Sequence, residues 1–544
     1  MQRTEKGSHF HLWEGEIRMQ AKKKGSILMV VLAAMLILSA CNKSGSDESS
    51  ASPSASASGS GGGSGEKVQF SYLLAGKYIN WLKDLKWYPE LLKNTNADIE
   101  LVNGGEDDDQ YYKSLETKLM SNDLPDSAIV TLSQAEVYGS QGLFLNLKDL
   151  IEKNAPNIKK FIDANPDYKK MITASDGNIY GLPQQYPVIT PVPFYRADFF
   201  ERAGIASNPT TIQEFTDVLK KLKAAYPAAD FYPFTGRDGY IKFTESFQAK
   251  DFIDDSGKVH GIYNNGLGYD LKAPGFKQLV EWYNTLFTEK LIDPEWIYGT
   301  QTEETWQTKM LTGKGAISYD FFTRPSWFMN NGGPKNDPKY SIKVMDALKD
   351  QQGNAPKVSA YQPRFRNDRV FVINAASEKK AEAIIKFMDY VFSDEGRTLM
   401  DYGVEGQSYK NEGGEKEYLV KFEEEGNKPL GTPVWNFLQD RLTFPAPSND
   451  EAYYQWMDDL TKSFAKDFFT KYAEVMPALK YSTDQLKERS GLVANVQPMI
   501  DSNLVKFITG KRPISEWDAF LKEADAQGYS KIVDIDQAAY DANK

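Results

Sequence analysis

Cys41 is the only thiol in the 544-residue chain, and its surroundings give that thiol one chemistry. Leu38-Ser39-Ala40 closes an uncharged apolar run, Ile27 to Ala40, and Lys22, Lys23 and Lys24 precede the run. A basic head, a short apolar core and small residues before a cleavage point make an export signal. The run is shorter than the roughly 18–20 residues that span a bilayer. Cleavage after Ala40 leaves Cys41 as the first residue, with its thiol available for acylation. Residues 1–18 are polar with mixed charge, so translation is expected to begin at Met19 and the signal to end at residue 40. His9 and His11 lie upstream of Met19, which leaves His260 as the sole imidazole of the mature chain. A Ser-His-Asp triad would have to use His260, and no Cys/His zinc site can be assembled. Gly257-Lys258-Val259-His260-Gly261 reads as a hairpin strand, which gives His260 a surface or structural role.

The first 40 residues carry six Lys/Arg and three acids, so the mature chain keeps 58 bases and 72 acids, a formal charge of −14. That balance repels nucleic acid and anionic surfaces at long range, and no nucleic-acid partner is expected. Asn42 to Gly65 is a Ser/Gly/Ala tract that cannot bury enough apolar surface to fold. Residues 41–66 read as a flexible tether, holding whatever follows within roughly 30 Å of the membrane.

About 480 residues follow the tether, enough for two or more lobes. The body opens as strand (Val68 to Leu74), helix (Trp81 to Leu92), strand (Ile99 to Val102), helix (Tyr111 to Met120) and strand (Ala128 to Leu132). This βαβαβ order predicts a parallel sheet with helices on its faces. Ligands of such sheets lie beyond the strands' carboxyl ends, here the loops 75–80, 103–110 and 133–138. Thr211-Ile212-Gln213-Glu214 is a capping-box pattern opening a helix with Ile212, Phe215, Val218, Leu219 and Leu222 on one face. Similar apolar faces run from Phe276 to Phe287 and from Ala381 to Phe392.

Asp176-Gly177-Asn178-Ile179-Tyr180-Gly181-Leu182-Pro183 resembles a segment of bacterial extracellular solute-binding proteins. Thr312-Gly313-Lys314-Gly315-Ala316-Ile317 resembles their strand entry, and Phe387 to Gly396 their late helix. Glu289 to Pro294 and Tyr402 to Gly406 are similar to the larger lipoprotein branch of family 1 found in Gram-positive bacteria, carbohydrate type. Cys41 likewise stands where bacterial lipoproteins carry their acylated Cys. The resemblance spans nearly all of residues 67–410 and is weaker over the last 130 or so. It implies an α/β, two-lobe, type II periplasmic-binding-protein-like fold, each lobe a mostly parallel sheet flanked by helices, joined by a hinge. Lobe one is expected over 67–185 plus about 365–405. Lobe two is expected over 187–360 plus about 406–544, the last part being a C-terminal helical extension. The implied function is capture of an oligosaccharide between the lobes and its delivery to the permease subunits of an ABC importer. The protein is then a monomer, anchored by lipid on the outer face of the cell membrane, with no cofactor.

A sugar presents apolar C–H faces and a rim of hydroxyls, which aromatic rings and charged or amide side chains complement. Candidates are therefore such residues on loops at strand ends. Lys77 and Trp81 follow the first strand, Asp107, Asp108 and Asp109 the second, and Gln134 the third. Gln185 and Tyr186 lie past the first crossover. Arg237, Asp238 and Tyr240 follow Phe234; Asp320, Phe321, Arg324 and Trp327 follow the strand Ala316 to Tyr319. Glu405, Tyr409 and Trp435 complete the set. Structural roles compete: Trp81 can cap the first helix, and the acids at 106–109 suit a helix N-terminus. Arg237 and Arg324 suit an anionic uronate, whereas the aromatics suit a neutral glycan. Two other readings remain open, the same fold binding a peptide or other small metabolite, and a surface glycosidase or lyase using paired acids. No P-loop, nucleophile elbow or zinc motif is present, and Asp534-Ile535-Asp536 lacks the sixth-position Gly of a calcium loop.

Overall fold

The computed structural model describes residues 67–237, 239–249, 253–254, 256–264, 267–360, 364–419, 443–455, 457–475 and 479–542. The export signal, Cys41, the tether, Asp238 and Trp435 lie outside these residues. The first part of the chain runs β1 (Val68–Leu74), α1 (Gly76–Asp84), α2 (Trp87–Asn94), β2 (Ala97–Asn103), α3 (Asp108–Ser121), β3 (Ser127–Val130), α4 (Leu132–Ser140) and β4 (Leu182–Gln185). The second part runs β5 (Pro191–Arg196), α5 (Ile212–Ala225), α6 (Pro274–Thr288), α7 (Glu303–Thr312), β6 (Ile317–Phe321), α8 (Arg324–Asn330) and β7 (Ile342–Val344). The chain then returns through β8 (Phe365–Ile373) and α9 (Glu378–Phe392). It ends in α10 (Asp450–Gln455), α11 (Asp459–Tyr472), α12 (Thr483–Ile508), α13 (Trp517–Ala526) and α14 (Tyr529–Asp541).

The first sheet has the order β2-β1-β3-β8-β4. β1 pairs in parallel with β2 and β3, as the βαβαβ reading predicts, and β8 runs antiparallel to both β3 and β4. Tyr72, Leu73 and Leu74 are all buried, which fits a strand covered on both faces. Val370 stands opposite Val130, and Phe365 opposite Gln185. The carboxyl ends of β1, β3 and β4 and the amino end of β8 therefore share one edge.

The second sheet is β6-β5-β7, with β5 antiparallel to both neighbours. Phe234 extends it through parallel bridges to Ile317 and Ile292. β5 opposes the other strands because it enters straight from a crossover, at the edge where β6 ends; Pro191 pairs with Phe321.

Each sheet has its own core. The first is built on Tyr72, Ile129, Phe371 and α9 residues such as Ile384 and Met388. The second gathers Phe215, Phe234, Phe276 and Ile317 with Ile500, Phe507 and Phe520 of the C-terminal helices. A third cluster, around Val192, Trp306 and Phe328, packs against Phe468 and Phe469 of α11. At roughly 1.5–3 kcal/mol per fully buried large side chain, these faces supply the drive that docks the helices. Phe444 and Ala446 depart from the expected boundary. They belong to the first core, where Phe444 stacks on Tyr72 with ring centroids 5.6 Å apart. The tail makes this return because β4 needs a partner as it leaves its sheet: the Gln185 amide donates to the Ala446 carbonyl (3.1 Å).

Three stretches thus run side by side between the sheets. The Tyr186 amide donates to the Arg364 carbonyl (2.8 Å), and Arg364 Nη1 donates to the Tyr186 carbonyl (2.8 Å) and to Asp450 (2.9 Å). The Ser448 amide donates to Gln185 Oε1 (2.8 Å). Among the described residues no helix is long and apolar enough to cross a membrane.

Candidate functional site

On the second sheet, the strand segment ending at Phe234 carries the chain to Arg237 beside the end of β6. Gly236 allows this path, since a Cβ there would lie 2.4 Å from the Trp296 ring. Asp293 and Gln301 brace the turn: Thr235 Oγ1 donates to Asp293 (2.8 Å) and Gln301 Nε2 donates to Thr235 Oγ1 (3.0 Å). Arg237 then makes a bidentate pair with Asp320, Nε to Oδ2 at 3.0 Å and Nη2 to Oδ1 at 2.9 Å. Its Nη1 donates to Glu303 at 2.6 Å, and the guanidinium lies 5.4 Å from the Trp306 ring centroid. Arg324 reaches the other Glu303 oxygen at 2.9 Å and lies 6.0 Å from the Trp327 ring. The side chains of Arg237 and Asp320 are 4% and 6% exposed, while Glu303 is 38% exposed. The sequence-predicted residues Arg237, Asp320 and Arg324 therefore form one ion-pair cluster, with half-buried Phe321 and Trp327 beside it.

The first sheet carries a matching cluster at its own crossover edge. Asp108, in the first turn of α3, accepts from Lys77 Nζ (2.9 Å), Tyr78 Oη (3.2 Å) and Arg369 Nη2 (2.8 Å). Arg369 also bonds the Tyr78 hydroxyl and stacks 4.7 Å from that ring. Burial raises the cost of ionising Asp108, but the positive charges of Arg369 and Lys77 outweigh it and hold its carboxyl below the usual carboxylate range. Arg366 pairs with Asp368 (Nε to Oδ1, 2.8 Å) and lies 5.5 Å from the Tyr186 ring. Burial pushes the nearby Tyr112 hydroxyl up to about 12. Trp81 packs edge-on against Tyr78 at 5.3 Å and remains half-buried.

The remaining candidates are employed otherwise. Asp107 is the N-cap of α3, accepting from the Gln110 amide at 2.8 Å, and Gln134 closes the capping box of α4 on Thr131. Gln185 is buried and committed to Ser448. Tyr240 lies half-buried against the second core, and its carbonyl accepts from Tyr283 Oη at 2.6 Å. Tyr409 is buried in a small cluster with Tyr402 and Ala452, and Glu405 beside it is exposed. His260 has the structural role expected of it, with Nε2 2.7 Å from Asp254 Oδ2.

Asp108 is one of the acids the sequence offered after the second strand, whereas Tyr78, Arg366, Asp368, Arg369, Glu303 and Trp306 are not among the sequence-stated candidates. The run Arg364-Phe365-Arg366-Asn367-Asp368-Arg369, charged and leading into apolar Val370 to Ile373, is a local signal for Arg366, Asp368 and Arg369 alone. A groove of about 630 Å³ lies on the second sheet at the far end of β5, lined by Tyr195, Glu201, Asn208 and Lys343 among others. It sits away from the crossovers; Asp198, also in its lining, is held in a bidentate pair by Arg196 (2.8 Å) and lies 3.5 Å from Arg202. Among the described residues no group of three or more His, Asp or Glu is placed to hold a metal ion.

Two α/β sheets, three stretches of chain between them and a polar cluster at each crossover edge define a two-lobe solute-binding fold of type II. The family described as bacterial extracellular solute-binding protein matches residues 80–398, and the chain belongs to that family. The fructooligosaccharide ABC transporter substrate-binding protein FusA of Streptococcus pneumoniae serotype 4 is 23% identical over 566 residues, covering 97% of this chain and 100% of FusA. The polygalacturonan/rhamnogalacturonan-binding protein YtcQ of Bacillus subtilis is 23% identical over 551 residues, covering 95% of this chain and 99% of YtcQ. The structure of FusA in complex with kestose superposes with a TM-score of 0.64 at 21% identity, over 88% of this chain and 100% of that one. A solute-binding protein from Bifidobacterium longum infantis, associated with an ABC transporter and binding HMO, gives a TM-score of 0.66 at 19% identity, over 88% and 99%.

Proposed function

We propose that the protein is a lipid-anchored extracellular receptor that captures an oligosaccharide between its two lobes and hands it to an ABC importer. The observation that carries the reading is the pair of clusters, one on each crossover edge, each combining charged hydrogen-bonding groups with rings. Lys77, Asp108, Trp81 and Tyr186 would meet the sugar from the first lobe and Glu303, Phe321 and Trp327 from the second, with the deeper Tyr78, Arg369, Arg237, Asp320 and Arg324 holding those groups in place. Rings cover C–H faces and the fixed donors and acceptors meet hydroxyls. The ion pairs preorganise those groups, which lowers the ordering cost of binding. The three adjacent crossovers suit a hinge on which the lobes close. Family membership and the names of FusA and YtcQ point the same way. Cys41 with two or more acyl chains would hold the receptor near its permease, as a monomer.

A glycosidase needs one carboxyl kept protonated by its surroundings. The carboxylates at these edges are instead locked to arginines, and Asp108 is held low, which weighs against catalysis. The reading is tested by thermal stabilisation of the purified protein against glycans, peptides and amino acids. A ligand that binds only the folded state stabilises it by RT ln(1 + [L]/Kd), about 2.7 kcal/mol at a hundredfold excess over Kd. A shift for one glycan series supports the receptor. A shift for peptides alone replaces the ligand, and release of shorter products from a polysaccharide would restore the enzyme.

A further inference from the structure

We infer that the glycan this site takes is uncharged; the inference rests on the receptor reading and narrows its substrate class. A site for uronates needs cations left over to meet one carboxylate per ring. In the first lobe, Lys77 and Arg369 share Asp108, and Arg366 is closed on Asp368. In the second, Arg237 is held by Asp320 and Glu303, and Arg324 by the same Glu303. The cations of these clusters are thus matched almost one for one by built-in carboxylates.

The exposures say which groups a ligand meets. The arginine heads lie deep, at 4% for Arg237, 5% for Arg369 and 10% for Arg324, while Glu303 and Asp108 keep 38% and 33% of their side chains open. A sugar arriving from solvent therefore meets the Glu303 carboxylate before any guanidinium in the second lobe, and in the first lobe meets Asp108 together with Lys77, 26% exposed and already paired with it at 2.9 Å. The carboxylate oxygens accept hydrogen bonds from neutral hydroxyls and repel a uronate carboxylate. To pair with Arg237, a uronate would have to displace Asp320 from a bidentate contact at 2.9 and 3.0 Å that is shut off from water, where a stranded charge is costly. The −14 charge of the mature chain adds long-range repulsion of a polyuronate. Discrimination built on a repulsive partner is a general route to specificity.

Calorimetry on the purified protein with neutral fructo-oligosaccharides, neutral galacto-oligosaccharides and oligogalacturonates of matched length tests this. A neutral series is expected to bind at least about tenfold tighter than the uronates. Glu303→Gln removes the exposed carboxylate shared by Arg237 and Arg324 and should move the ratio toward the uronate at least about fivefold, with folding checked by circular dichroism. Uronate binding tighter than any neutral glycan overturns the inference and leaves the receptor reading standing. A ratio unmoved by Glu303→Gln also overturns it. Silence on every glycan, with the protein folded, removes the receptor reading and this inference with it.

Discussion

Asp320→Ala is the perturbation whose cost can be worked most fully from the structure. It strands the Arg237 guanidinium, 4% exposed, and deletes two hydrogen bonds of 2.9 and 3.0 Å. Breaking one side of a buried pair typically costs about 3–5 kcal/mol. Glu303 still reaches Arg237 at 2.6 Å from a partly solvated position, so the low end applies, about 3 kcal/mol. Removing the pair together, Arg237→Met with Asp320→Leu, leaves no stranded charge and should cost under about 1 kcal/mol. Urea denaturation of Asp320→Ala and of the double variant measures both figures, and the single variants Arg237→Met and Asp320→Leu complete the double-mutant cycle that gives the coupling. The double variant should then fold normally and lose its glycan. A loss under about 1 kcal/mol for Asp320→Ala, or a double variant as damaged as the sum of its singles, would refute the reasoning.

Other consequences are as direct. Trp327→Ala and Trp81→Ala should each weaken glycan binding about tenfold or more, read by calorimetry, with stability changed less because both rings are half-buried. Asp108 has a lowered carboxyl pKa in the folded state, so its contribution is complete above the ordinary carboxylate range and is lost as pH falls through the folded value. Melting temperature should therefore fall more steeply below about pH 4 in the wild type than in Asp108→Asn. Phe444→Ala should cost about 3–5 kcal/mol in urea denaturation, since this tail ring is buried in the first core. Gly139→Ala should destabilise by about 1–3 kcal/mol, because the new Cβ would lie 2.2 Å from the Tyr180 ring.

What the sequence made legible follows the range of the interactions involved. β1 runs from Val68 to Leu74 as the apolar pattern says, and the Phe276 and Ala381 faces are α6 and α9. The helix read from Trp81 to Leu92 is two helices, because Leu85 takes an extended conformation (φ −76°, ψ 121°) that turns it into the core. Pro89, in the first turn of α2, is the local signal of that break, because a proline in the interior of one continuous helix would cost a backbone hydrogen bond. At Thr211 the capping pattern is half used: Thr211 accepts from the Glu214 amide, but the Glu214 carboxylate turns to Thr210. The helix-terminus role weighed for the acids at 106–109 is the one Asp107 takes, whereas Gln134, expected at the ligand, is taken by the capping box it forms with Thr131. Arg237, Asp320 and Arg324 were each legible as candidates near a strand end, but their grouping was not, and Asp320 lies inside β6 rather than beyond it. Glu303 was not legible, since only the packing of α7 against β6 brings it to Arg237, 66 positions away. Arg369 and Asp108 are separated by 261 positions and meet only when β8 returns beside β3.

The central claim is that one glycan touches both lobes at the crossover edges. Hydrogen-exchange mass spectrometry of the purified protein, with and without the glycan identified by calorimetry, tests it most directly. Protection should appear together in residues 76–81, 108–112 and 364–369 of the first lobe and in 236–237, 303–306 and 320–327 of the second. Protection confined to one lobe, or centred on the groove at 195–208 and 339–344, would contradict the account.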